Sequence, residues 1–317
     1  MSSLDKAADT CVRTCVGVKK NEKVLVVTDK DKIEIAEAIL RKSSEYGSSA
    51  DLIEIPIGKV NGEEPSSSVS SMMLEYDVLF FVTSKSLSHT KARINASAKG
   101  IRVASMPSIT REVMERSMSA DYIKINEVSV KVASVLMNGS KVRVVTDKGS
   151  DISFSILGRG SHGADSGRLL EKGAFGNLPA GEAYIAPVEG TANGVFIVDG
   201  SVGGIGKVAD VKIEVREGFA VDISGSKSLE IKEMLDSVKD KNAYNIAELG
   251  IGTNDQARIT GCTLEDEKVL GTCHIALGNS KSFGGQTDVP IHIDCVFSAP
   301  SIWVDDFLLM EKGKLLI

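Results

Sequence analysis

"KVLVVTDKDKIEIAEAILRKSSEYGSSADLIEIPIG", residues 23–58, places two hydrophobic periods side by side. Residues 23–29 are a β-branched run that follows polar residues. Over residues 32–47 the apolar positions recur at helical spacing, and the run ends at Gly47. Residues 50–58 read as a strand again. Strand, helix, strand is the repeating unit of a parallel sheet, because parallel neighbours need a long crossover and a helix supplies it. The alternation continues outward. "DVLFFVTS" (77–84) is a continuous apolar run, as expected of a strand covered on both faces. Residues 88–100 read as helix, 101–107 as extended, 110–118 as helix and 122–140 as a longer helix. The first part of the chain is therefore expected to be an α/β domain with a mostly parallel sheet.

After "KVRVVTDKGSDISFSILG" (141–158) short strands and glycine turns dominate, with one clear helix over 228–240. The expected organisation is residues 1–140 as the α/β domain and 141–317 as a β-rich (α+β) domain. "VVTDKDKIEIAE" lacks the glycines with which a first strand approaches a pyrophosphate, so a dinucleotide site is not expected there. "GSVGGIGK" (200–207) resembles a phosphate loop but lies between β segments rather than opening a helix.

Composition narrows the function classes. The 317 residues carry a net charge of −6, which argues against a general nucleic-acid binder. The N-terminal stretch has no apolar run long enough for a signal peptide or membrane helix, and the reading is a cytoplasmic protein without membrane association. Of five cysteines, Cys11 and Cys15 lie four apart on one predicted helix face and read as small core hydrophobes. Cys262, Cys273 and Cys295 lack the paired spacing of a structural zinc site.

Histidine is scarce, at four residues. His89 reads as a polar residue at a helix start, and His162 as a solvated loop residue. "GTCHIALGNSKSFGGQTDVPIHID" (271–294) holds the other two. In "IHID", His292 and Asp294 are two apart on an extended segment, so both side chains leave one face and can grip one cation. His274 lies on another extended segment, and the glycine pair between them lets the chain return alongside. The competing reading is a surface hairpin whose polar residues face water. Two carboxylates tilt the balance toward a metal: Glu182 in "NLPAGEAYIAP" and Glu248 in "YNIAELGIGTN" interrupt apolar surroundings, where a carboxylate is costly unless paired or bound to a cation. Five nitrogen and oxygen donors without cysteine suit Zn²⁺, Co²⁺ or Mn²⁺.

"NLPAGEAYIAP", "AELGIG", "DEKVLGTCHIALG" and "HID", in that order over about 110 residues, resemble the aminopeptidase T / aminopeptidase S family of metallopeptidases. The resemblance implies a two-domain homodimer with a co-catalytic pair of divalent ions. Its ligands would be Glu182, Glu248, His274, His292 and Asp294, with Glu248 bridging. The implied reaction is hydrolysis of the N-terminal residue of a small peptide by a metal-activated water. Glu267, or its neighbour Asp266, would serve as base. One departure stands out. The family has a tyrosine ligand seven residues beyond the first histidine, and here that position is Lys281, with Phe283 nearby. A lysine there would repel or displace a second cation. The alternative is a mononuclear iron(II) ring-cleaving dioxygenase of the dihydroxypyridine type, which resembles the same family, with His274, His292 and Asp294 as a facial triad. A non-catalytic dimeric relative is the third reading.

Overall fold

A computed structural model describes residues 2–160 and 163–317, so His162 lies outside the described residues. Two compact units emerge. One comprises residues up to Lys124 with Gly167–Ala180, and the other comprises Ile125–Ser166 with Gly181–Ile317.

The first unit is the α/β part. Its described strands form one parallel sheet in the order Ser49–Glu54, Lys23–Thr28, Val78–Val82, Arg102–Ser105, Phe175–Asn177. The 78–82 strand is buried along its whole length, as its unbroken apolar run requires. Helix Ile33–Glu45 turns Ile35, Ala36, Ala38 and Ile39 inward. Near the N-terminus, Ser2 and Asp5 form a reciprocal capping box on helix Ser3–Asp9. The following wide turn, Thr10–Cys15, buries Cys11 and Cys15 as core residues. Arg102, buried in its strand, is satisfied by the carbonyls of Val16 and Gly17 at 3.0 and 3.2 Å and by Glu22 at 2.5 Å.

The edge strand Phe175–Asn177 was not visible in the sequence. Three residues carry no periodicity, and the segment lies far beyond the change of texture near residue 140. Packing also assigns most of helix Tyr122–Asn138 to the second unit, where Val132, Ala133 and Leu136 join the core.

The second unit has two antiparallel sheets among the described residues. One runs in the order 219–224, 211–216, 193–198, 151–155, 141–145, 301–304, 307–311, 314–315. The other runs 206–207, 201–202, 292–298, 272–278, 246–252, 182–185, 164–165. Their inner faces share one apolar core, to which Ile231 and Leu235 of helix Ser228–Asp236 contribute. "GSVGGIGK" is a hairpin between the short strands Ser201–Val202 and Gly206–Lys207 and opens no helix. No helix among the described residues is long and apolar enough to cross a membrane.

Candidate metal centre

Four adjacent strands of the seven-stranded sheet carry the residues singled out in the sequence. Their register pairs Gly278 with His292, Ala276 with Asp294, Ala276 with Glu248, Gly250 with His274, and Gly252 with Glu182. Residues paired across antiparallel strands send their side chains to the same face. Glu182, Glu248, His274, His292 and Asp294 therefore share one face, separated only by glycines and Ala276. The alternate residues Ile185, Leu249, Ile251, Ile275, Leu277, Ile293 and Phe297 point the other way, into the core. The period of two that was read for "IHID" holds along the donor-bearing segments, with one register shift just before Glu248.

The donor atoms converge. His292 Nε2 lies 3.0 Å from Glu248 Oε2 and 3.2 Å from Asp294 Oδ1. His274 Nε2 lies 3.6 Å from Glu248 Oε1, 3.7 Å from Glu182 Oε2 and 3.9 Å from Asp294 Oδ1. Ligand atoms of Glu248, His292 and Asp294 all fall within 4.8 Å of one another, a group able to hold a metal ion. His292 Nδ1 is 2.8 Å from the Asn279 carbonyl, to which it donates, and this aims Nε2 at the carboxylates. His274 is held differently. Its Nδ1 has no hydrogen-bond partner, and its ring lies over Gly250, where a Cβ would sit 2.0 Å from Cε1. Packing, not a hydrogen bond at Nδ1, sets that ring.

The segment "EDEK" (265–268), which also reads as a solvated turn, is buried throughout. Asp266 is consumed locally, accepting from the Thr260 and Gly261 amides at 2.7 and 2.8 Å. Glu267 faces the centre and hydrogen-bonds Asp294. Lys268, which sequence reasoning passed over, is fully buried; its Nζ pairs with Glu182 Oε1, with Glu267 Oε1 at 2.8 Å and with Asp165 Oδ2 at 3.4 Å. One oxygen of Glu182 is thus held by an ammonium, and the other, Oε2, is buried without a hydrogen bond. The sequence offered no signal for Lys268 beyond its place in a charge run.

Lys281 corrects a second expectation. Its side chain is 64% exposed and pairs with Asp288 at 2.5 Å, away from the donors. Phe283, two residues on, stacks on His292 at 4.6 Å between centroids, and Tyr184 meets Phe283 edge-on at 5.4 Å.

Electrostatics follow from burying so many charges together. Burial pushes the Glu267 carboxyl up to about 8 and that of Glu182 up to about 7, against the pull of Lys268. Burial would lower His274, but Glu248, Asp294 and Glu182 outweigh it and raise the imidazole to about 9. His292 is likewise raised, its burial overcome by Asp294 and Glu248. Asp294 and Glu248 stay below the usual carboxylate range despite burial, because both imidazoles face them. Without a metal, the positive charge here is carried by protons on nitrogen.

Comparison with known proteins identifies the lineage. Residues 6–317 match the family model NicX, 2,5-dihydroxypyridine 5,6-dioxygenase. The chain belongs to the NicX family. Among solved structures, the 2,5-dihydroxypyridine dioxygenase from Pseudomonas putida KT2440 matches with a TM-score of 0.82 at 16% identity, over 100% of this chain and 98% of that one. Wild-type AmpT from Thermus thermophilus matches with a TM-score of 0.70 at 14% identity, over 99% of both chains. No curated protein matches by sequence. The NicX family thus shares the aminopeptidase T-like fold, with its parallel α/β part and antiparallel sheets, and the sequence resemblance had found that fold. It had named the wrong family within it. The expected metallo-aminopeptidase, a hydrolase acting on small peptides, is overturned by the NicX match. The motifs behind the resemblance lie on the strands that carry the donors in this chain, and a fold does not fix the chemistry run on it.

Proposed function

We propose that this protein is a ring-cleaving dioxygenase for 2,5-dihydroxypyridine or a closely similar ring diol, with one iron(II) held by His274, His292 and Asp294. The observation that carries this reading is that Asp294 Oδ1 lies 3.2 Å from His292 Nε2 and 3.9 Å from His274 Nε2 on one sheet face, in a NicX-family chain. The donors fit the ion. Two imidazoles and a carboxylate, without sulfur, are the set used for non-haem ferrous sites with open positions. Bound iron would supply the electron transfer that lets dioxygen react with the ring.

The protein's own residues prepare the site. The Asn279 carbonyl fixes the His292 tautomer, and Glu248 balances charge between the two imidazoles. Glu267, raised to about 8 by burial, keeps a proton on its carboxyl at neutral pH and can exchange it beside the centre. Phe283 and Tyr184 form an aromatic wall next to His292 that suits a flat ring.

The test is oxygen uptake by protein loaded anaerobically with Fe²⁺ and given 2,5-dihydroxypyridine and a panel of ring diols. Consumption of one O₂ per substrate, absent with Zn²⁺ in place of iron, is the expected result. Protein carrying one iron per chain that consumes no oxygen with any of them would sink the proposal.

A further inference from the structure

We propose that the Lys268 ammonium is a built-in cation standing in the place of a second divalent ion, and that it confines this centre to one metal per chain. This rests on the reading that the donors on the sheet face hold a metal. Asp165, Glu182 and Glu267 converge on Lys268 Nζ, at 3.4 Å for Asp165, 2.8 Å for Glu267 and in direct contact with Glu182. Three carboxylates meeting at a point, Glu182 and Glu267 buried and Asp165 partly so, are the donors a hard divalent ion takes. Here an ammonium, with three N–H donors for three acceptors, fills that point.

Glu182 links the two positions. Its Oε1 holds Nζ, while Oε2 lies 3.7 Å from His274 Nε2 and has no hydrogen bond. A carboxylate with one oxygen toward each of two positive centres is the arrangement of a two-ion site. In this chain one of those centres is covalently part of the protein. Lys281 has no share in this, because it points into solvent.

The experiment compares wild type with Lys268→Ala, each incubated with excess Mn²⁺ or Zn²⁺, desalted, and assayed for metal per chain. Folding is followed in parallel by circular dichroism with and without the ion. Wild type is expected to retain one ion and Lys268→Ala two, with a spin-coupled Mn²⁺ pair in the electron paramagnetic resonance spectrum of the variant. If the emptied carboxylates prevent folding, excess Mn²⁺ should restore it. One ion in both proteins overturns the role of Lys268, as do two in wild type or a variant that stays unfolded in excess Mn²⁺. Wild type with no ion removes the metal centre itself, which separates the two failures.

Discussion

At Gly250 the His274 ring lies where a side chain would begin, with Cε1 2.0 Å and Nε2 2.1 Å from an added Cβ. Gly250→Ala should therefore push His274 out of reach of the carboxylates while leaving the core face of its strand untouched. We expect metal affinity to fall about 10- to 100-fold, the usual range for disturbing a ligand's support. Titration with a competing chelator measures it, and unchanged affinity would contradict the packing argument. His292→Ala should abolish binding at the centre with the far-UV circular dichroism spectrum preserved, because that side chain faces away from the core. Full metal content in that variant would remove His292 from the ligand set. At this scale the sequence was informative where spacing alone decides. His292 and Asp294 needed only a period of two. Lys268 and Asp165 were illegible, because "EDEK" and "HGADSG" look like surface whenever nothing shows what covers them.

The strand 292–298 carries both the chemistry and the core. His292 and Asp294 face the donors, whereas Ile293, Cys295 and Phe297 are buried among apolar residues. Phe297 packs against Phe196 at 5.9 Å between centroids. Phe297→Ala should cost about 3–5 kcal/mol of stability through the cavity it leaves. The metal content of the folded fraction should stay at the wild-type value. Urea unfolding and metal analysis on the same samples test this, and metal loss below the unfolding transition would show that the two faces are not independent. Most elements were legible in the sequence: the helices at 33–45 and 122–138 and the strands at 23–28 and 78–82 follow from hydrophobic period. The three-residue strand Phe175–Asn177 was not, since so short a segment has no period and its pairing is decided by a distant neighbour.

For the whole molecule, the buried charges link stability to pH. His274 is raised from 6.5 to about 9, so its contribution is complete below pH 6.5 and is lost as pH climbs through about 9. Glu267, raised from 4.5 to about 8 by burial, acts in the same direction, because its protonated form is favoured in the fold. Asp294 and Glu248 are lowered, and their contributions are already present at neutral pH. Metal-free protein should thus melt at progressively lower temperature from pH 6.5 to 9. A bound ion replaces the protons, and its affinity rises with pH. The gap in Tm between metal-loaded and chelator-treated protein should widen over that interval. Calorimetry at several pH values checks this, and a gap that narrows would refute the linkage.

Alternation of strand and helix in the first part of the chain and of strand and turn in the second was enough to determine the fold class. Two of the four histidines, an aspartate two residues from one of them and two glutamates in apolar settings were enough to point to a metal centre, because period and burial cost act locally. How the charges of the centre are compensated was decided in three dimensions. Lys281, which the sequence places where a ligand was expected, points to solvent, and Lys268, hidden in a charge run, occupies the carboxylates instead. Charge compensation depends on which groups are buried together, and only the tertiary fold brings residues 165, 182 and 268 to one point.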